Sequence, residues 1–97
     1  MLFAIICTDR PGRLDLRKQT RPAHLAYAQA NAAQVRHGGP LLGEDGTPQG
    51  SLILLEAADR AAAEAFVAGD PYTRAGLFES VIIRPTRIVF RDGALVE

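Results

Sequence analysis

Four apolar, strand-like runs interleaved with two helix-favouring segments predict an α+β fold of order β-α-β-β-α-β. This is the ferredoxin-like arrangement, one antiparallel sheet with both helices on one face. Three observations carry it. Leu2 to Thr8 is an unbroken apolar run, Pro22 to about Arg36 is rich in alanine, and a second helix-then-strand pair follows from Arg60 onward.

The first strand is β-branched at Ile5 and Ile6 and bounded by Asp9-Arg10-Pro11-Gly12, which suits a strand buried on both faces and closed by a turn. A polar, Arg-rich passage covers Arg13 to Arg21. Proline is tolerated in a first helical turn and not deep inside a helix, so the regular helix is expected to begin near Pro22. That places His24 in its first turn. Leu25, Ala28, Ala32 and Val35 form an apolar stripe, with Tyr27 and Asn31 beside it on the side of His24. Gly38-Gly39-Pro40 breaks the pattern, Leu41-Leu42 belongs to a short strand, and Glu44 to Gly50 reads as a polar hairpin loop. Ser51 to Ala57 is a buried strand. Asp59 caps a helix over Arg60 to Ala68, which Gly69 stops. Asp70-Pro71 opens one short turn that Gly76 closes. Phe78 to Phe90 is the last strand, disturbed at Pro85, and residues 91–97 read as a loose tail.

Ninety-seven residues suit one domain spanning 1–97, burying about two-thirds of its unfolded surface. The opposite sheet face then needs a cover, and a second copy of the chain packed sheet to sheet predicts a homodimer. Eleven basic and eleven acidic residues balance, so nothing draws the chain to nucleic acid or to a membrane surface. Cys7 is the single cysteine and excludes an internal disulfide and a thiolate zinc site. The N-terminal run reaches Asp9-Arg10 too soon for a signal peptide, and no apolar run approaches the roughly 20 residues of a membrane span. A cytoplasmic location is expected.

The chemistry candidates are few. His24 near a helix N-terminus would feel a dipole that disfavours imidazolium, keeping a neutral ring available as a base, and a carboxylate on its other nitrogen would fix the tautomer. A lone histidine there is also often a plain helix-end residue. Asp70 before Pro71 reads as an N-cap over the amides of Tyr72 or Thr73, a role compatible with holding His24 because a carboxylate has two oxygens. Arg10, Arg13, Arg17, Lys18 and Arg21 form the one charge asymmetry. They hold an anionic small substrate, with Arg17 and Arg21 nearest to His24, or they form a solvated face. Tyr72 and Tyr27 line a pocket or simply pack. His37 and His24 lack the spacing of a metal site, and there is no phosphate loop, nucleophile elbow or dinucleotide fingerprint. No metal and no organic cofactor is expected.

At Arg21-Pro22-Ala23-His24-Leu25 and Asp70-Pro71-Tyr72, joined by Ala75-Gly76-Leu77-Phe78-Glu79, the chain resembles the YCII-related family. Gly39-Pro40, Gly50-Ser51, Arg84-Pro85 and Phe90 extend the likeness nearly end to end. The resemblance implies a dimeric α+β barrel of ferredoxin-like subunits, each with a cleft. It also implies an acid/base pair whose matching positions are His24 and Asp70. Chemistry attributed to relatives includes elimination of chloride from a chlorinated hydroxyquinol. The segment before Gly39-Pro40 is about two residues shorter than the family pattern and lacks its glycine turn.

The leading expectation is therefore a small-molecule enzyme of lyase or isomerase type acting on a cyclic or carbonyl substrate. His24 and Asp70 would be catalytic, and Arg21, Tyr72 and Arg17 would contact the substrate. The alternatives are a non-catalytic binding or interaction domain, in which Asp70 is only a cap, and a purely structural dimerisation unit.

Overall fold

The computed structural model describes residues 1–97. A four-stranded antiparallel sheet of order β2-β3-β1-β4 is built from β1 (Leu2–Asp9), β2 (Val35–Leu42), β3 (Pro48–Glu56) and β4 (Phe78–Thr86). The helices are α1 (Leu14–Ala30), α2 (Arg60–Gly69) and the single turn α3 (Pro71–Arg74). They lie on one face of the sheet, so the fold is α+β and ferredoxin-like, as the element order predicts. No helix is long and apolar enough to cross a membrane.

Register decides which side chains meet the helices. Phe3, Ile5 and Cys7 of β1 stand opposite Leu55, Ile53 and Ser51 of β3, and Ile5 stands opposite Ile83 of β4. These residues point to the same face as Ala63, Phe66 and Val67 of α2 and build one core with them. Each large apolar side chain fully buried there contributes about 1.5–3 kcal/mol. The β1 run was expected to be buried on both faces. Instead its burial alternates: Phe3, Ile5 and Cys7 are buried while Leu2, Ala4 and Ile6 are only half-buried on the other face.

The start of α1 differs from expectation. The helix begins at Leu14, eight residues before Pro22, and runs through the proline. Pro22 cannot donate to the Lys18 carbonyl, but both residues are exposed, so water can satisfy that carbonyl and the break costs less than it would in a core. The helix also ends earlier, at Ala30, where the Asn31 side chain donates to the Tyr27 carbonyl. Ala32 and Val35 therefore leave the proposed stripe, and Val35 opens β2. Gly38-Gly39-Pro40 is part of that strand and not a break in it. Pro40 is acceptable because β2 is an edge strand.

The hairpin loop is shorter than expected, Pro48, Gln49 and Gly50 already belonging to β3. A Cβ on Gly50 would collide with the Cys7 carbonyl, so β3 can pass β1 this closely only with glycine there. Asp59 caps α2 through the Ala62 amide, as expected. Pro85 causes no disturbance and pairs in register with Phe3; the irregularity lies between Thr8 and Asp9. β4 stops at Thr86. Residues 91–97 are not a loose tail, since Phe90–Arg91 (β5) pairs with Ala94–Leu95 (β6) around Asp92-Gly93, both at positive φ.

Candidate functional site

The site forms where α1, α3 and the β2–β3 edge converge. Asp70 lies between α2 and α3 and caps the latter: its Oδ1 accepts from the Tyr72 amide at 2.9 Å. Pro71 supplies the preset φ of a first helical residue, and Gly76, at φ +75°, lets the chain turn away into β4. Asp70 is 2% exposed. A carboxylate so buried needs partners, and the second is His24, whose Nδ1 lies 2.9 Å from Oδ1 and 3.0 Å from Oδ2. The cap and the histidine contact thus coexist on one side chain.

A carboxylate can only accept, so the Nδ1 proton lies toward Asp70 and Nε2 carries the lone pair. No group of the protein hydrogen-bonds Nε2. His24 sits in the third turn of α1, well inside the helix, so the N-terminal dipole invoked from the sequence does not act on it. Orientation comes from Asp70 below and from Tyr72, whose ring stacks on the imidazole at 4.1 Å between centroids and 20° between planes. Tyr72 is 1% exposed and also meets the edge of Phe78. Burial holds its phenol above the ordinary value, opposed by the nearby Arg17 and Arg21.

Arg17 is no loop residue. It lies in the first turn of α1, 5% exposed, with Nε donating to Asp9 Oδ2 at 2.7 Å and Nη2 donating to Asp9 Oδ1 at 3.1 Å. Nη2 also donates to Ser51 Oγ at 2.8 Å, and the guanidinium carbon lies 4.6 Å from the Tyr72 ring centre. Burial disfavours the guanidinium charge, but the Asp9 carboxylate outweighs it and holds the Arg17 pKa above the ordinary value. Arg17 is therefore committed to a buried network. Asp9 and Ser51 belong to the same network and were not among the sequence candidates.

Arg17, His24, Ser51 and Tyr72 face a cleft of about 360 Å³. Its walls are apolar on both sides, Leu14, Leu25 and Ala28 from α1 against Val35, Pro40 and Ile53 from the sheet. Gly38 and Gly39 leave the β2 wall without side chains. His24, Tyr72 and Ser51 lie along the same cleft, together with Lys18 and Arg21, which have no carboxylate partner. Counting Arg17, Lys18 and Arg21 against Asp9 and Asp70 gives three positive charges against two negative, hence +1 with His24 neutral. The cleft therefore carries net positive charge between apolar walls.

Two residues weighed from the sequence lie outside the cleft. Tyr27 packs: it donates to the Phe66 carbonyl at 2.8 Å and lies against Gly69, where a Cβ would meet its hydroxyl at 2.6 Å. His37 pairs with Leu54 on the opposite sheet face, away from His24. That face borders a wider, open groove of about 780 Å³ beside the β5–β6 hairpin, which contains neither His24 nor Asp70.

Known proteins resemble this chain in sequence and in fold. Residues 1–87 match the YCII-related domain. Protein YciI of Escherichia coli O6:H1 is 33% identical over 98 residues, covering 93% of this chain and all of that protein. Among solved structures, the 5-chloro-2-hydroxyhydroquinone dehydrochlorinase of Burkholderia phenoliruptrix AC1100, in complex with 2,5-dihydroxybenzoquinone, is 39% identical. It superposes with a TM-score of 0.84 over 90% of this chain and 94% of that one. A NIPSNAP family protein from Agrobacterium tumefaciens, 18% identical with a TM-score of 0.52 over 86% of this chain and 87% of its own, shares the fold alone. With the family matched over residues 1–87 and a relative 33% identical over 93% of the chain, this chain belongs to the YCII-related family.

Proposed function

We propose that the chain is a small-molecule enzyme of lyase or isomerase type, moving protons on a ring substrate that carries acidic oxygens. The observation that carries this reading is the His24–Asp70 contact: both carboxylate oxygens lie within 3.0 Å of Nδ1, leaving Nε2 free in the cleft. Asp70 would hold the tautomer and stabilise the imidazolium formed when Nε2 takes a proton. Lys18 and Arg21 would stabilise the negative charge developing on a ring oxygen. The apolar walls suit a flat ring, and a dehydrochlorinase 39% identical to this chain supports halide elimination as the reaction.

That elimination balances without an oxidant. Nε2 removes a proton from one ring hydroxyl, and the imidazolium returns it to the ring carbon bearing the halogen, which becomes tetrahedral. A second hydroxyl then loses its proton to Nε2, and its electrons pass through the ring to expel halide. The products are a quinone, a halide ion and one proton, which the imidazolium releases to water.

The half-open sheet face carries Leu2, Ile6, Leu52, Leu54 and Ile82. A second copy of the chain is the cover this reading assigns to it.

The test is chloride release from 5-chloro-2-hydroxyhydroquinone. His24→Ala should lower kcat by about 10²–10⁴-fold, the usual contribution of a general base. Asp70→Asn keeps an acceptor for the Tyr72 amide but loses the charge facing Nδ1, and should fall by up to about 10⁴-fold while the fold persists. Wild-type turnover in either variant would remove the pair from the mechanism. Binding of ring compounds without turnover by the unaltered chain would make it a binding domain.

A further inference from the structure

One hydrogen-bond donor in the cleft is left unused by the acid–base reading. Ser51 is 3% exposed and lines the cleft that holds His24. A hydroxyl has one proton to donate and two lone pairs. Arg17 Nη2 occupies one lone pair at 2.8 Å, whereas no group of the protein accepts the hydroxyl proton. The cross-strand neighbours of Ser51 offer it no competition: Cys7 in β1 is a weakly accepting thiol and Pro40 in β2 has an apolar ring.

The position of this hydroxyl is fixed from two sides. Gly50 lies against the Cys7 carbonyl, which pins the backbone of β3 just before Ser51. Asp9 holds Arg17 through two nitrogens, so the guanidinium cannot swing away from Oγ. The charged donor on Oγ polarises the O–H bond and makes it a stronger donor than an ordinary serine. A buried hydroxyl proton without an acceptor is unfavourable until something in the cleft accepts it.

The geometry points to Ser51 as a substrate-binding donor whose hydroxyl hydrogen-bonds a second ring oxygen of the substrate, one other than the oxygen that faces His24. This rests on the ring-substrate reading and names the protein group that holds the second oxygen which that reading requires. A ring with a single oxygen leaves one of the two site groups unpaired and is rejected for that reason.

The test is calorimetric titration of the unaltered chain and of Ser51→Ala with phenol and with its three diols, catechol, resorcinol and hydroquinone. The unaltered chain should bind at least one diol on the order of ten- to a hundredfold more tightly than phenol, the range of one polarised hydrogen bond. Ser51→Ala should erase that preference and leave phenol affinity unchanged, and Ser51→Thr, which keeps the hydroxyl, should retain it. Ser51→Cys, of similar size and a weak donor, carries the same test if the alanine variant does not fold. Two results overturn the inference: no diol preference in the unaltered chain, or a Ser51→Ala variant that weakens phenol and diols in equal proportion. The second would mean only that Arg17 had loosened. Chloride release is read separately, so a chain that prefers diols but eliminates no halide refutes the reaction and leaves the Ser51 contact standing.

Discussion

Removing the Asp9 carboxylate should come close to unfolding the chain. Asp9 and Arg17 side chains are 7% and 6% exposed, joined by two hydrogen bonds, and Arg17 additionally supports Ser51 and the Tyr72 ring. Asp9→Ala leaves a guanidinium buried without a counter-charge, a change that costs about 3–5 kcal/mol. At about 0.05–0.15 kcal/mol per residue, 97 residues give a total stability of only about 5–15 kcal/mol. The same loss lowers Tm by roughly 12–40 °C in a domain of this size, at about 4–8 °C per kcal/mol. The double variant Asp9→Leu/Arg17→Met removes both charges and fills the space, so it should recover most of the loss. Urea unfolding of the unaltered chain, Asp9→Leu, Arg17→Met and the double variant, with Asp9→Ala alongside, supplies the numbers. A loss below about 1 kcal/mol for Asp9→Ala, or a double variant whose loss is the sum of the two matching singles, would show that the pair does not hold the buried network together.

Two further outcomes concern the cleft and the core. A Cβ on Gly38 would meet the Leu52 carbonyl at 3.6 Å and Ile53 Cγ1 at 3.8 Å, ordinary contacts, so Gly38→Ala should fold normally while Gly38→Leu fills the cleft. Calorimetry should then show hydroquinone binding weakened by at least about tenfold in the leucine variant with Tm little changed; unaltered binding would place the ligand elsewhere. Burial, reinforced by Asp70 and opposed by Arg17, pushes the Cys7 thiol up to about 12 from the ordinary 9.0. Between those values the folded chain keeps a proton that the unfolded chain releases, so this contribution is whole below pH 9.0 and falls as pH rises toward about 12, at about 1.4 kcal/mol per pH unit. Urea midpoints followed through that range should decline more steeply for the unaltered chain than for Cys7→Ala, and parallel curves would contradict the burial.

The strands were legible because their signal is local. Leu2 to Thr8, Leu52 to Leu55 and Val81 to Ile83 are apolar and β-branched, and no helical pattern of that length competes with them. The boundaries of α1 were hidden for a physical reason. Its N-cap is Arg13, whose side chain makes no capping bond, while Pro22 imitates a helix start eight residues too late. Its end at Asn31 lacks the glycine that usually marks a C-terminus. Gly38-Gly39-Pro40 misled in the opposite direction, since an edge strand tolerates residues that a central strand excludes. Asp92-Gly93 was a hairpin signal, overlooked because the strands on either side are only two residues long.

The site was half legible, and the missing half follows from that helix boundary. His24 and Asp70 are 46 residues apart, and spacing alone cannot bring them together; the likeness of their flanking residues to a known family did. With α1 started at Pro22, Arg17 fell in a loop and its contacts could not be reasoned about. With α1 started at Leu14, the residues Leu14, Arg17, Lys18, Arg21, His24, Leu25 and Ala28 recur at the i, i+3, i+4 positions of successive turns and line one side of the helix. That side is apolar at both ends and charged in the middle, which a helix packed on a sheet cannot bury throughout. The sequence therefore encodes a helix that must stand off the β2 edge, where Gly38 and Gly39 keep the opposite wall bare. Asp9 closes the arrangement from β1 by neutralising the one cation that is buried, Arg17, and leaves Lys18 and Arg21 without carboxylate partners beside the cleft. The cleft is thus a consequence of charges placed on the inner face of a helix, and the proposed preference for an anionic ring rests on which of those charges are left unpaired.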